Sequence, residues 1–203
     1  MLKYYNEKIF YRLMNQSLGQ ENITQMRREL LANAGGEVLE IGFGTGLNLA
    51  CYPDRVRSVT AIDVCRFEAR ILPAKIQLRR LEMSAEAMIF SDDSFDTVVS
   101  TFTLCSIPQV QAALHEIQRV LKPGGVFLFL EHGKSPNPLI AGLQNLANPL
   151  YNLLAGGCNV NRDMIRTISA SGLCVQSVKT GGSSLLIAGF YLSGIATKTG
   201  VPC

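Results

Sequence analysis

Apolar residues recur along the chain with two periods, and the points where one period gives way to the other divide it into elements. Over residues 3–34 they fall three and four apart (Ile9 and Leu13, then Ile23, Met26 and Leu30), the spacing of amphipathic helices, with a break near Gly19. Two helices are therefore expected ahead of the first strand. Short runs rich in β-branched and aromatic residues follow: "EVLEIG", "VRSVTAID", "IQLRRLEM", "FDTVVST" and "GVFLFLEHG", with helical or loop segments between them. In "IPQVQAALHEIQRVLKPGG", Ala113, Ile117 and Leu121 line one helical stripe, and Pro123-Gly124-Gly125 stops the helix before the next strand. This alternation predicts a parallel sheet with helices on both faces.

Beyond residue 133 the pattern changes. An uncharged segment, 135–161, precedes a helix expected near 161–171 and two further β-like runs, "LCVQSVKT" and "IAGFYLSGIATK", close enough in sequence to pair antiparallel. Within the uncharged segment Leu139, Leu143, Leu146, Leu150 and Leu154 give helical pieces one apolar face, expected to cap the sheet's carboxyl edge. Its length invites comparison with a membrane span, but Gln144, Asn145, Asn148 and Asn152 are expensive in hydrocarbon and Pro149 removes a backbone donor, so a cover is expected instead. The fold expected is α/β, a Rossmann-like, mostly parallel sheet with an antiparallel final strand. It forms one domain: N-terminal helices over 1–34, a ligand-binding core over 36–133, and a cover, last helix and two strands over 134–203.

Composition narrows this picture only a little. A chain of 203 residues fits one domain, and a net charge of +3 is too slight to suggest nucleic acid. The basic residues Arg55, Arg57, Arg66, Arg70, Lys75, Arg79 and Arg80 are expected to form a solvated face, which leaves peripheral contact with a membrane surface open. Six cysteines lie scattered without CxxC or His-paired spacing, indicating neither a zinc site nor a disulfide framework, and no metal is expected. With no signal-peptide pattern at the N-terminus, a cytoplasmic setting is expected.

The chemistry concentrates in "VLEIGFGTGLNL", Val38 to Leu49, where three glycines alternate behind an acidic residue. In an open α/β sheet, ligands bind beyond the carboxyl ends of the strands, and glycines there let a ligand rest against backbone. The spacing G-x-G-x-G is not the G-x-G-x-x-G of a nicotinamide dinucleotide site. Glu40, two residues before Gly42, would repel a pyrophosphate and favour a ligand bearing an ammonium or sulfonium charge. S-adenosylmethionine carries both.

In this order, "VLEIGFGTG", "TAIDV", "SAEAMIFSDDSFDTVVST" and "RVLKPGGVFLFLEHG" resemble the successive motifs of class I S-adenosylmethionine-dependent methyltransferases, specifically the type-11 domain, from about residue 36 to 133. The following "EHGKSPNPLIAGLQNLANPLYNLLAGGCNVNRD" is similar to the branch holding phospholipid, ubiquinone and alkyl-thiol methyltransferase-like proteins. The resemblance implies that Glu40 and the loop Gly42, Phe43, Gly44, Thr45 and Gly46 hold the methionine end. It implies too that Asp63, with Val64, meets the ribose hydroxyls, and that Ser84 and Ala85 form the adenine turn. Ser84 stands where an aspartate is common, and the stretch between Asp63 and Ser84 is shorter than in most relatives, implying a clipped second helix. Thr101 and Thr103 would flank the transferable methyl.

His132 ends the fifth strand at the mouth of the expected crevice, where it serves either as a base or as an orienting hydrogen-bond partner. Because side chains alternate along a strand, only one of Glu131 and His132 should face the substrate. His115 is expected at the surface. Cys105 and Cys158 are expected to be small apolar residues, and Tyr4, Tyr5 and Tyr11 to pack within the N-terminal helices. The activity implied is methyl transfer from S-adenosylmethionine to a small or lipophilic acceptor: a thiol, a quinol or a lipid head group. A non-catalytic S-adenosylmethionine-binding interaction module is the alternative. Oligomeric state is not legible.

Overall fold

The computed structural model describes residues 16–65, 76–183 and 185–198. Residues 1–15 of the expected first N-terminal helix, with Tyr4, Tyr5 and Tyr11, the clipped second helix and the basic residues Arg66, Arg70 and Lys75 lie outside them. The described chain begins with a helical stretch over 16–18, breaks at Gly19 and continues through helix α1 (Glu21–Leu31), β1 (Gly36–Ile41), β2 (Val56–Asp63), β3 (Gln77–Glu82) and β4 (Phe95–Thr101). Helix α2 (Val110–Val120) leads into β5 (Leu121–His132), followed by α3 (Pro138–Leu154), α4 (Met164–Ser169), β6 (Cys174–Gly182) and β7 (Phe190–Thr197). The strands form one sheet in the order β3-β2-β1-β4-β5-β7-β6. All neighbours run parallel except β5 with β7 and β7 with β6, which are antiparallel. This is the α/β architecture that the alternating runs predict.

Both faces of the sheet are covered. Along β1, Val38 packs on the side of Ile23, Leu30 and Leu31 of α1, while Leu39 and Ile41 pack on the side of Leu114 and Ile117 of α2. Alternation along a strand buried on both sides yields the near-continuous apolar run seen in the sequence. The chain order reverses between β1 and β4, where a crevice opens beyond the strands' carboxyl ends. Everything placed at the ends of β1, β2, β4 and β5 therefore converges there.

Helix α3 corrects one expectation. Its leucines do not face the protein: Leu139 is 79% exposed and Leu146 81%, with Leu143, Leu150, Leu153 and Leu154 exposed as well. The inner face is polar, an amide ladder at i, i+4 and i+8 made by Gln144, Asn148 and Asn152. Gln144, fully buried, donates to the carbonyls of Gly133, Val160 and Ile187 and accepts from Ser135 N. Asn148 accepts from Val160 N, and both Asn148 and Asn152 donate to Asn159 Oδ1. The reason is hydrogen-bond satisfaction: the loops beneath α3 present backbone groups that a leucine face would leave unpaired, at a cost of about 1 to 3 kcal/mol each. Asn137 caps the helix, accepting from Leu139 N and Ile140 N, with Pro138 at its first turn. None of the described helices is long and apolar enough to cross a membrane.

Two substitutions test this rotation of α3. Gln144→Leu leaves three carbonyls and one N–H without partners and should lower the unfolding free energy by about 3 kcal/mol or more, whereas Leu146→Gln should change it by less than about 0.5 kcal/mol. Urea denaturation of both variants checks the pair; the reverse order would mean that the leucine face is the packed one.

Candidate functional site

A crevice of about 350 Å3 lies at the switch between β1 and β4. It is lined by Glu40, Gly42, Phe43, Gly44, Thr45, Asp63, Val64, Ser84, Ala85, Thr101, Thr103 and His132. Of the residues expected to bind the cofactor or act on the acceptor, Gly46 alone does not line it; with φ +84 it turns the chain tightly against Leu49 and Phe43. Gly42 has φ +75, and a β-carbon there would lie 1.9 Å from Thr103 Oγ1. Only glycine permits both that backbone conformation and so close an approach of the two loops.

Glu40 is buried at the end of β1. Its Oε1 accepts from Asn48 Nδ2 at 3.0 Å and its Oε2 from the Tyr52 hydroxyl at 2.7 Å; Asn48 in turn donates to Thr101 Oγ1 at 3.1 Å. Burial pushes the Glu40 carboxyl up to about 7, against the opposing pull of Tyr52, Asn48 and the Arg27 charge. Arg27 comes from α1, is 2% exposed and lines the same crevice. Its Nη1 donates to Leu18 O, but its Nε is buried with no partner among the described residues, an orphaned donor beside the site. A buried carboxylate and an under-satisfied guanidinium lining one crevice fit the ammonium and carboxylate of an amino-acid group. Neither Arg27 nor the bracing pair Asn48 and Tyr52 was singled out in the sequence. Asn48 and Tyr52 lie 8 and 12 residues after Glu40, a spacing that carries no signal without the fold.

On the next strand, Asp63 Oδ2 accepts from Gly44 N at 2.9 Å and Oδ1 from Cys65 N at 3.0 Å. Burial raises its carboxyl above the ordinary range, and the backbone donors of Gly44 and Cys65 pull it back. Asp63 thus fixes the glycine loop and retains lone pairs for a diol. Ser84 Oγ donates to Glu86 Oε2 at 3.0 Å and accepts from Glu86 N, while Glu86 Oε1 accepts from Gln109 N at 2.7 Å. Glu86, which the sequence does not mark out, therefore lines the crevice and ties its floor to the start of α2.

The opposite wall comes from the turn after β4, the end of β5 and the loop after α3. Glu131 is fully buried and accepts from Ser100 Oγ and from the N–H groups of Thr103, Leu104 and Cys105 at 2.7–3.2 Å. It nails down the turn, and His132 faces the crevice, the division that strand alternation requires. Phe102, with φ +53, holds a left-handed conformation rare for a bulky residue and stacks on the His132 ring at 4.8 Å. Thr103 Oγ1 donates to Thr101 O, a local turn contact. His115 is exposed on α2. Cys105 and Cys158, 53 residues apart, meet with sulfurs 3.3 Å apart, and His132 Nδ1 lies 3.6 Å from Cys158 Sγ and 4.0 Å from Cys105 Sγ. Contact with Cys158 and burial hold the Cys105 thiol well above its ordinary range. The fold thus assembles a cluster that linear spacing does not show. Elsewhere Cys174, at the start of β6, is disulfide-bonded, which the spacing did not suggest either.

Comparison with known proteins agrees with this geometry. Residues 39–129 match the family model described as a methyltransferase domain. The chain is 34% identical over 198 residues to the human thiol S-methyltransferase TMT1A, covering 88% of this chain and 80% of that protein. It is 35% identical over 124 residues to the ubiquinone/menaquinone biosynthesis C-methyltransferase UbiE of Syntrophotalea carbinolica, covering 57% of this chain and 52% of that one. Among solved structures, the 1,6-didemethyltoxoflavin-N1-methyltransferase of Burkholderia thailandensis superimposes with a TM-score of 0.65 at 15% identity, over 93% of this chain and 84% of that chain, a likeness of fold. A glycine loop behind a buried carboxylate at the β1/β4 switch, set in this sheet order and matched by these relatives, gives one conclusion: the chain belongs to the S-adenosylmethionine-dependent methyltransferases.

Proposed function

We propose that the chain moves the methyl of S-adenosylmethionine to the sulfur of a small thiol with an apolar body. The observation that carries this reading is the make-up of the acceptor wall. The three carboxylates lining the crevice, Glu40, Asp63 and Glu86, belong to β1, β2 and the turn after β3. The turn after β4, the end of β5, and α3 with the loop after it contribute Phe102, Ile107, Pro108, Tyr151 and Ala155 with two thiols and an imidazole, and no carboxylate. An amine acceptor arrives as a cation and would leave its charge unpaired against that wall; a thiol needs no counter-charge and little help to ionise. The thiol methyltransferase relative supports the same reading, spanning 88% of this chain against 57% for the quinone enzyme.

S-adenosylmethionine supplies an electrophilic methyl on a sulfonium. Glu40 would take its ammonium and Arg27 its carboxylate, while the bare backbone of Gly42 and Gly44 admits the methionine chain. Asp63 would accept from the ribose hydroxyls, and Ser84 from the adenine amino group. His132, at the end of β5, positions the acceptor. Phe102 and Tyr151 exclude water from the transfer path. Alignment of donor and acceptor supplies most of the rate, since reacting atoms held about 3 to 3.5 Å apart gain several kcal/mol of barrier from prepaid entropy.

Incubation of the protein with S-adenosylmethionine and matched alkyl thiol, quinol and ethanolamine-lipid acceptors should give a methyl thioether as the main product. Turnover of the quinol or the lipid alone would contradict the thiol reading, and no turnover of any acceptor would favour a non-catalytic binding module.

Glu40→Gln and Arg27→Met should each weaken S-adenosylmethionine binding by about 1 to 3 kcal/mol, roughly fivefold to 150-fold, in calorimetric titration. Glu40→Gln should keep or raise the melting temperature, because it removes a desolvated acid and keeps its two hydrogen-bonding neighbours. Unchanged affinity in both variants would remove the amino-acid end from this part of the crevice.

A further inference from the structure

We propose that Cys105, His132 and Cys158 form a three-ligand Zn2+ site whose fourth position opens on the crevice and takes the acceptor's sulfur as a thiolate. The inference rests on the thiol reading for its role and on geometry for its existence. The three donor atoms, Sγ, Nδ1 and Sγ, lie within 4.8 Å of one another, and all three residues are buried. Tetrahedral zinc with bonds of about 2.3 Å to sulfur and 2.0–2.1 Å to nitrogen would set its sulfurs about 3.8 Å apart and each sulfur about 3.5 Å from the nitrogen. The observed separations are 3.3 Å between the sulfurs and 3.6 and 4.0 Å from sulfur to nitrogen. Shifts of a few tenths of an ångström bring all three to one ion.

The cluster is also preorganised. Cys105 sits in the short helical turn Leu104–Ser106, whose N–H groups Glu131 binds. Cys158 follows α3, and the next residue, Asn159, ties the two cysteine segments together by donating both its N–H and its Nδ2 to Cys105 O at 2.9 and 3.0 Å. His132 is fixed by β5 and by stacking on Phe102. Ligands held on separate, braced elements are what a metal site requires. Among the described residues no fourth His, Cys, Asp or Glu joins the cluster, and all three members line the crevice. Two thiolates and an imidazole with an open position is an arrangement that catalytic zinc uses, whereas structural zinc is closed by a fourth protein ligand.

Charge fits as well. Zinc with two thiolates is neutral, and a third thiolate makes the site an anion. Arg162, which donates to Leu104 O and Ile107 O, lies in electrostatic reach of both sulfurs and of Glu131. Zinc binds the two cysteines as thiolates, so metal binding displaces their protons. On entry the acceptor loses its S–H proton to solvent and its sulfur binds the ion. That sulfur then forms a bond to the methyl carbon as the carbon–sulfonium bond breaks, the electron pair of the broken bond staying on the departing sulfur. Both products are neutral thioethers. A neutral thioether is a weak ligand for zinc and leaves.

The test is metal analysis of the full chain, purified anaerobically, with Co2+ exchanged for Zn2+ as a spectroscopic probe. Expected are about one zinc per chain, falling below about a tenth in Cys105→Ser, Cys158→Ser and His132→Ala, and a thiolate-to-cobalt charge-transfer absorption that shifts when an alkyl thiol is added. S-adenosylmethionine titration of the variants confirms that they fold. Substoichiometric zinc in the wild type, equal zinc in the variants, or a Cys105–Cys158 disulfide in the anaerobic protein would overturn the site; a cobalt band indifferent to thiols would overturn its open position. The two proposals separate cleanly. Thioether formation by metal-free protein defeats the zinc site and leaves the thiol reading standing, while a thiol-sensitive cobalt band without thioether formation supports the site and defeats the thiol reading.

Discussion

The arrangement of the crevice depends on one costly feature, a carboxyl group buried at the end of the central strand. Nothing in the packing of β1 calls for an acid there: Val38, Leu39 and Ile41 around it fill the two apolar faces of the sheet. Glu40 is kept by Asn48 and Tyr52 and faces a buried Arg27, yet burial still outweighs these partners and raises its carboxyl to about 7. A group so placed is poised for a cation that only a ligand brings. The glycine loop, the Asp63 brace and the close approach of Gly42 to Thr103 then shape the space around that cation.

Two walls of different chemistry follow from the sheet order. The β1–β3 side carries charges that fit a zwitterionic, hydroxyl-bearing cosubstrate. The β4–β5 side and the loop after α3 carry aromatic and aliphatic groups, two thiols and an imidazole. In the proposed reading, one wall holds the methyl donor and the other selects the acceptor, which is where the relatives, sharing one fold, would differ.

Legibility in the sequence divides along the same line. The alternating runs gave the sheet, because strands buried on both faces write themselves as continuous apolar stretches, and Glu40 to Gly46 and Asp63 were visible because their parts are contiguous or end a strand. The acceptor wall is built from residues far apart in the chain. Cys105, His132 and Cys158 come from three elements, and no linear spacing announces them. Arg27 was hidden because one polar residue in an amphipathic helix looks like any other. Helix α3 misled for a physical reason: its leucine period is real, but periodicity reports only that two faces differ, and buried carbonyls at Gly133, Val160 and Ile187 drew the amide face inward. Glu86 carries no signal, because a lone acid after a strand is ordinarily solvated.

The buried acid gives the account a definite proton balance. Raised in the ligand-free fold above its unfolded value of about 4.3, Glu40 favours folding below that value and loses this contribution as pH rises through about 7; an ammonium partner lowers its pKa again. Binding of S-adenosylmethionine near pH 7 should therefore release protons, since a group raised into this range is partly protonated and leaves the complex ionised. Calorimetric titration in two buffers of different ionisation enthalpy measures this release directly. The account predicts proton release by the wild type and none by Glu40→Gln; no release by the wild type, or equal release by both, would contradict it.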